Sequence, residues 1–249
     1  MIQKFLQNFM SQNWEDLLFL HWPIDPKEVS RTLPDDLKPD LFQGQAWISV
    51  VGFRLTGLRI KPFKQIAWND FTELNLRTYV RNSSGARGVW FYSLDSSDLL
   101  AVLGARMLYG LNYRFASLQT KDSGKGLTFQ SKTRFGSSEI SCQISADLSV
   151  NQNRTKAASF ESHDNFLLER YRFWANRGTP QGSTSAKVAH VPYEADRLMT
   201  ADYAGDLFQC HGFDEPDGPP SIVHYCRGLT VQASAPSWMF WIAGQANQR

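Results

Sequence analysis

Cysteine is scarce in this sequence, and its three copies match no cross-linking or zinc-binding pattern. The 249 residues include Cys142, Cys210 and Cys226, an odd and widely spaced set. A chain of this length buries a sizeable core without cross-links, so scarce cysteine favours a reducing compartment over a secreted disulfide framework. Cys210-His211 and His224 with Cys226 could converge as ligands, yet buried cysteine more often packs as a small hydrophobic residue. We therefore expect a cytoplasmic protein without a metal site.

Long apolar runs, charge of one sign and phosphate-binding loops are also missing. No segment approaches the roughly 20 apolar residues of a membrane-spanning helix, and the N-terminus does not read as a signal peptide. Lys and Arg number 26 against 24 Asp and Glu, which gives a formal net charge of +2. That balance does not suit a dedicated nucleic-acid binder. The sequence has no Gly-x-Ser-x-Gly, Gly-x-Gly-x-x-Gly or Walker-type loop, so we expect no serine-hydrolase elbow and no nucleotide or other cofactor.

Alternating hydrophobicity with few helical stretches indicates a β-rich α+β protein. The clearest strand, 73–81, is followed by turn residues and a second strand at 88–95, which predicts a hairpin. Helices are predicted at 26–33, 99–109 and 162–174, and further strands at 45–55, 113–122, 126–134, 139–150, 185–191, 207–213 and 222–233. Because no linker-like composition separates two halves, we expect one domain over residues 1–249, folded as a closed or conical antiparallel β-barrel with a few helices.

One face of the 73–81 strand carries charge, and its role depends on where that face points. Alternation puts Glu73, Arg77 and Arg81 on one side and Leu74 and Leu76 on the other. On an outer, wet face the charged side chains would form an ordinary solvated stripe. Inside a barrel they would lose hydration, so they would have to pair with each other or hold a ligand. The residues alone leave both interpretations open.

Six ordered motifs link the chain to a known family. They are HWPIDP at 21–26, LPDDL at 33–37, GQAWISVV at 44–51, FTELNLRTYVR at 71–81, GVWFYSLD at 88–95 and ARMLYGLNYRFA at 105–116. Their identity and order resemble the uncharacterised YqjF-like bacterial family of the acetoacetate-decarboxylase-like superfamily. The resemblance covers residues 14–232. It implies a β-rich cone or barrel whose interior holds a small-molecule site.

The resemblance also implies that the best-known chemistry of the superfamily is missing. In the decarboxylases, a Gly-aromatic-Pro-Lys-Lys stretch after a helix supplies a lysine that forms a Schiff base with the keto acid. The matching stretch, 110–116, has Tyr113 and Arg114 where the two lysines would be, and residues 65–120 hold five of the chain's 16 Arg and none of its 10 Lys. A phenol cannot form an imine, and a guanidinium stays protonated. Glu73 falls where the decarboxylases carry an active-site glutamate.

We therefore expect a barrel that binds a small anionic or carbonyl-containing molecule. Arg77, Arg106 and Arg114 are candidates to bind the anion, while Glu73 would act as acid or base and Tyr113 would donate a hydrogen bond. Three alternatives remain open. The first is an enzyme that uses Glu73 on a carbonyl or carboxylate substrate without an imine, and the second is a non-catalytic carrier or sensor. The third is a structural protein whose eight Trp and seventeen Phe serve a homo-oligomeric interface.

Overall fold

Antiparallel strands make up most of the chain. A computed structural model describes residues 6–62, 68–149, 151–156, 162–176 and 183–240. In its first half the elements are β1 (Met10–Ile24), α1 (Pro26–Thr32), β2 (Leu37–Pro39), β3 (Ala46–Ile60), β4 (Phe71–Asn82), β5 (Arg87–Ser96), α2 (Leu99–Tyr109) and β6 (Tyr113–Asp122). The second half contains β7 (Gly126–Phe135), β8 (Ser138–Asp147), β9 (Asn151–Lys156), α3 (Ser162–Leu168), β10 (Arg172–Asn176), β11 (Ser183–Ala189), β12 (Glu194–Leu198), β13 (Ala201–Gly205) and β14 (Ile222–Ala233).

Seven strands close into a ring. Hydrogen-bonded neighbours follow the order β5, β10, β11, β14, β1, β3 and β4, and β4 pairs with β5 again. Six of these seven pairings are antiparallel, whereas β5 and β10 run parallel. The expected hairpin of β4 and β5 is therefore confirmed, and the parallel pairing of β5 with β10 is the exception in an otherwise antiparallel ring.

A second sheet continues from β5 through the strands predicted at 113–122, 126–134 and 139–150, which form an antiparallel meander. β6 lies parallel to β5, and β6, β7, β8 and β13 then pair antiparallel in that order. The parallel step is possible because α2 carries the chain back to the end of the sheet where β5 began. Asp98 caps α2 by accepting a hydrogen bond of 2.6 Å from the backbone N–H of Ala101, and Gly110 ends it in a left-handed conformation.

The meander packs against the outer face of the ring, which buries β4 on both sides. Leu74 and Leu76 of β4 join one apolar core with Phe129 and Ile144 of the meander. Gly52 in β3 permits this close approach, because a Cβ atom there would lie 2.7 Å from the Phe129 ring. The opposite face of β4 points into the ring. The solvated stripe considered for the charged face is therefore excluded for Glu73 and Arg77, although Arg81 is exposed.

Two predicted elements differ from the structure. The helix predicted at 162–174 ends at Leu168, because Arg172–Asn176 instead pairs with β5 and β11 as a strand. Residues 207–213 are expected to form a strand but instead contain a short 3₁₀ turn at Gln209–His211. Gly212 ends this turn with a φ of 82°. The predicted strand 139–150 corresponds to β8, and its last position lies outside the described residues. Within the described part of the chain, no helix is long and apolar enough to cross a membrane.

Candidate functional site

A carboxyl group and a phenol meet inside the ring. Glu73 lies on β4, and Tyr113 is the first residue of β6, immediately after the loop that follows α2. The Tyr113 hydroxyl donates a hydrogen bond of 2.5 Å to Glu73 Oε2, and the side-chain amide of Asn75 donates one of 3.2 Å to Oε1. Both carboxylate oxygens are thus held in place. The sequence nominated Glu73 as acid or base and Tyr113 as a hydrogen-bond donor, and the structure brings the two into direct contact.

Burial changes the acidity of this pair. Glu73 is 3% exposed, and the loss of hydration raises the pKa of its carboxyl group to about 7, against an ordinary value of 4.5. Hydrogen bonds from Tyr113 and Asn75 and the positive charge of Arg77 lower this pKa, whereas the negative charge of Asp95 raises it. Burial, together with the charge of Glu73, holds the pKa of the Tyr113 phenol well above its ordinary value. At neutral pH, Glu73 therefore exists in both protonation states while Tyr113 remains a donor.

Arg77 lies further along the same face of β4. Its side chain is 8% exposed, and its Nε and Nη2 atoms have no hydrogen-bond partner among the described residues. The guanidinium lies over two rings, with its Cζ 5.3 Å from the centre of Phe19 and 5.9 Å from that of Tyr79. Aromatic faces stabilise the cation but do not satisfy its N–H groups. Arg77 therefore retains buried donors that a carboxylate could accept in a planar, paired geometry.

Glu73, Arg77 and Tyr113 line one cavity of about 140 Å³. Every strand of the ring contributes to its wall, together with α2. Most of the lining is apolar and includes Trp14, Phe53, Leu55, Trp68, Phe71, Phe91, Leu100, Leu108 and Phe173. Gln12, Arg170 and Arg172 add polar groups, and no lysine occurs among the described lining residues. An apolar cavity with a few converging polar groups has the usual character of a small-molecule site.

Comparison with known proteins assigns the chain to a family. The family model DUF2071, described as an uncharacterized conserved protein, matches residues 11–230. The uncharacterized protein YqjF of Bacillus subtilis is 32% identical over 233 residues, which are 93% of this chain and 90% of that protein. The chain belongs to the DUF2071 family. The expected relationship to YqjF is thereby confirmed.

Solved structures show which fold this DUF2071 protein has. Acetoacetate decarboxylase from Legionella pneumophila superposes with a TM-score of 0.63 at 13% identity, over 92% of this chain and 87% of that chain. An acetoacetate decarboxylase-like enzyme from Sphingomonas wittichii gives a TM-score of 0.59 at 13% identity, over 92% and 93%. The DUF2071 protein thus has the acetoacetate-decarboxylase-like fold that the sequence predicted. At this level of identity the likeness concerns the fold alone.

The structure does not bring the two other nominated arginines into the cavity of this DUF2071 protein. Arg114 follows Tyr113 in β6 and therefore points the opposite way, where its Nε donates a hydrogen bond of 2.6 Å to Asp95. Arg106 is exposed and donates from Nε to the backbone oxygen of Tyr113 at 2.6 Å, beside a separate outer groove. Arg77 alone of the three lines the cavity together with Glu73.

Sequence reasoning missed a buried series of hydrogen-bonded side chains, here called the histidine network, which lies at the Arg77 end of the strand ring. The Ser49 and Tyr79 hydroxyls contact His21 Nδ1 at 2.7 and 3.1 Å, and His21 Nε2 lies 3.2 Å from His224 Nδ1. His224 Nε2 lies 2.9 Å from Asp164 Oδ1. Burial lowers the pKa of both imidazoles below the ordinary value, so both are neutral at pH 7. The histidines come from opposite ends of the sequence, and no local pattern links them.

The proton positions in the histidine network follow from Asp164, the hydrogen-bond acceptor at one end of it. Burial raises the pKa of Asp164, but the hydrogen bond and charge of His224 outweigh that effect and leave the pKa below its ordinary value. An ionised Asp164 only accepts, so His224 carries its proton on Nε2 and accepts at Nδ1. His21 then donates from Nε2 and accepts a hydroxyl proton at Nδ1. Tyr79 belongs to the histidine network through its hydroxyl, and the face of its aromatic side chain also lies against the Arg77 guanidinium.

The cysteine and histidine pairs lie in packed surroundings. Cys226 is buried in an apolar cluster that contains Leu17 and Phe19. The Cys210 thiol donates to the backbone oxygen of Leu207 at 3.2 Å and accepts from Arg114 Nη1 at 3.6 Å. Among the residues that the structure describes, no group of three or more His, Cys, Asp or Glu is arranged to hold a metal ion.

Proposed function

We propose that the cavity binds a small carboxylate or carbonyl compound and that Arg77 holds its anionic group. The observation that carries this proposal is the buried guanidinium of Arg77, whose Nε and Nη2 lack partners among the described residues and which lines an apolar cavity. A buried cation without hydrogen-bond acceptors is costly, whereas a carboxylate would accept from both nitrogens in a paired geometry. Binding of an anion would therefore relieve an unfavourable arrangement.

The proposal includes proton transfer without imine formation. Glu73 has a pKa of about 7, so it can take a proton from carbon or oxygen and return it near neutral pH. The Tyr113 hydroxyl would stabilise an oxyanion formed on a substrate carbonyl, if the substrate replaced Glu73 as the acceptor of that hydroxyl. Proton abstraction next to a carbonyl, or hydration, is the class of reaction that fits these groups. No described residue that lines the cavity supplies an amine for a Schiff base.

A binding experiment tests the first part. Thermal-shift measurements with acetate, pyruvate, acetoacetate and butanoate would compare the native protein with Arg77→Met and Arg81→Met. Arg81 lies on the same strand but is exposed, so its replacement controls for loss of a positive charge. We expect carboxylates to stabilise the native protein and the Arg81 variant by mass action and to leave the Arg77 variant unchanged. Equal stabilisation of all three proteins would contradict the proposal.

A chemical experiment separates catalysis from carriage. Exchange of the α-protons of pyruvate and acetoacetate with D₂O, followed by NMR, should be accelerated by the native protein and not by Glu73→Gln. A non-catalytic carrier would bind these compounds without accelerating exchange in either form. Borohydride treatment in the presence of acetoacetate should give no covalent adduct. A stable adduct on any lysine, including Lys64 outside the described residues or the downstream Lys121, would overturn the exclusion of an imine.

A further inference from the structure

The cavity is polar at one end and apolar at the other, which restricts the class of ligand. Building on the proposed function, we propose that the ligand is an amphipathic carboxylate with an apolar part of about six carbons. The carboxylate would meet Arg77, and the apolar part would extend past Glu73 into the space between α2 and the Phe71 end of β4. The site would therefore prefer medium-chain acids to the shortest oxo acids.

Strand register orders the groups along the cavity. Phe71, Glu73 and Arg77 occupy positions of equal parity on β4 and all line the cavity. A strand rises roughly 3.3 Å per residue, so the Cα atoms of Phe71 and Arg77 are about 20 Å apart, with Glu73 closer to Phe71. On the neighbouring strands, Leu55 of β3 pairs with Phe71, and Trp14 of β1 pairs with Leu55. A mainly apolar wall, which also includes Gln12, thus surrounds the end of the cavity that lies away from Arg77.

Helix α2 leaves space at this apolar end. Five residues of α2 line the cavity, namely Leu100, Ala101, Gly104, Ala105 and Leu108, so three small residues lie between two leucines, of which Leu100 is 65% exposed. A Cβ atom built at Gly104 would meet no heavy atom of the described residues within 4 Å. Gly104 therefore faces space that no described side chain fills. The apolar part of a ligand would fill it and make the dispersion contacts that the small residues forgo.

The size of the cavity sets the length of the apolar part. Its volume of about 140 Å³ is close to that of engineered apolar cavities of about 150 Å³ that bind benzene. An apolar part of about six carbons would therefore fit. A longer chain would have to leave the cavity or displace its wall.

A chain-length series tests this inference. Isothermal titration calorimetry would measure the binding of straight-chain carboxylates from acetate to dodecanoate, each below its micelle concentration. Each added methylene should raise affinity about fourfold while it enters the apolar space. Affinity should pass through a maximum near hexanoate to octanoate and then decline. A maximum, rather than a continuous rise, is the signature of an enclosed site.

Gly104→Leu gives the matched structural test. The new side chain would enter the empty space beside α2, and leucine suits a helix better than glycine does. The affinity maximum should move to acids about three carbons shorter, while acetate should bind as it does to the native protein. Gly104→Ala should shift the maximum less, and it provides a second variant with a smaller change. Met107→Leu, on the exposed side of the same helix, should leave the whole series unchanged.

The outcomes separate this inference from the proposed function. Arg77-dependent binding that does not vary with chain length would overturn the amphipathic ligand and leave the proposed function intact. A rise with chain length that is insensitive to both Gly104→Leu and Arg77→Met would indicate surface adsorption and would also overturn it. Absence of binding for every acid would overturn both proposals. A maximum that moves with Gly104 and disappears with Arg77→Met would support both.

Discussion

The hydroxyl of Tyr113 donates a hydrogen bond of 2.5 Å to Glu73 although the two residues are 40 positions apart in the chain. The β4–β5 hairpin and the α2 crossover bring them together, because β6 returns beside β5 with Tyr113 as its first residue. The contact joins a carboxyl group of raised pKa to a phenol in an apolar cavity. In the proposed function, Glu73 exchanges a proton with the substrate and Tyr113 donates a hydrogen bond to the oxyanion that forms.

Tyr113→Phe should raise the pKa of Glu73 above its native value of about 7. The phenol donates to the carboxylate and so favours the charged form, and without it burial acts more strongly on the carboxyl group. Carbon-13 NMR of labelled glutamate, recorded across a pH titration, measures this pKa directly. Tyr92→Phe removes a buried hydroxyl that contacts Thr32 outside the cavity, so it serves as the control. An unchanged Glu73 titration in the Tyr113 variant would contradict the assigned contact.

Glu73 should also make stability depend on pH. Its folded pKa of about 7 lies above the ordinary 4.5, so between these values the folded state binds more protons than the unfolded state. The free energy of unfolding therefore falls as pH rises through this window, and the loss is complete above pH 7. Relative to native protein, Glu73→Gln should gain roughly 3 kcal/mol of stability between pH 4 and pH 8.

Urea unfolding at several pH values measures that difference. Glu139→Gln makes the same chemical change on an exposed side chain and should follow the native pH dependence. The test concerns the change in the difference with pH, because replacement of one carboxylate oxygen by an amide also alters the contact with Asn75. A difference between Glu73→Gln and native protein that stays constant with pH would show that the Glu73 pKa is not raised.

Arg114 should prove structural rather than ligand-binding. It is paired with Asp95 at 2.6 Å, and both side chains are at most 5% exposed. Removal of one member of a buried pair leaves an uncompensated charge, so Arg114→Met should destabilise the fold by about 3–5 kcal/mol. The double variant with Asp95→Asn should recover part of this loss. If the single variant keeps native stability but loses carboxylate binding, Arg114 belongs to the site after all.

The two buried histidines should each carry a proton on Nε2. Asp164 accepts at one end of the histidine network, and at the other end a hydroxyl of the hydrogen-bonded Ser49 and Tyr79 pair donates to His21 Nδ1. Nitrogen-15 NMR of labelled histidine at pH 7 distinguishes both tautomers from the imidazolium ion. Replacement of His190, which lies outside the histidine network, assists the assignment of the NMR signals. An imidazolium signal, or an Nδ1-protonated tautomer, from His21 or His224 would contradict the deduced proton order.

The local sequence pattern was sufficient to locate some elements, and it also located the charged face of β4 that contributes to the site. Alternation located β4 and its charged face, and the helical pattern at 99–109 located α2. Alternation could not decide which face of β4 enters the ring, because the meander buries the other face as well. The role of Arg114 depends on the opposite direction of neighbouring side chains in β6, which becomes informative only once Tyr113 is placed.

Other features depend on long-range pairing. β1 is buried along much of its length and therefore shows no clear alternation, and it is fixed by contacts with β3 and β14. The strand Arg172–Asn176 follows a helical pattern in sequence but forms because β5 and β11 offer free edges. The histidine network joins side chains from β1, β14 and α3, namely His21, His224 and Asp164. Local sequence cannot show such contacts.

The most direct test of the central claim is the crystal structure of the protein with 5-bromopentanoate. The bromine atom locates the ligand by its anomalous signal, and the electron density locates its carboxylate. We predict that the carboxylate lies within hydrogen-bond distance of Arg77 Nε or Nη2, inside the cavity lined by Glu73 and Tyr113. A carboxylate bound in the outer groove beside Arg106, or an empty cavity at a concentration that saturates binding in solution, would contradict the account.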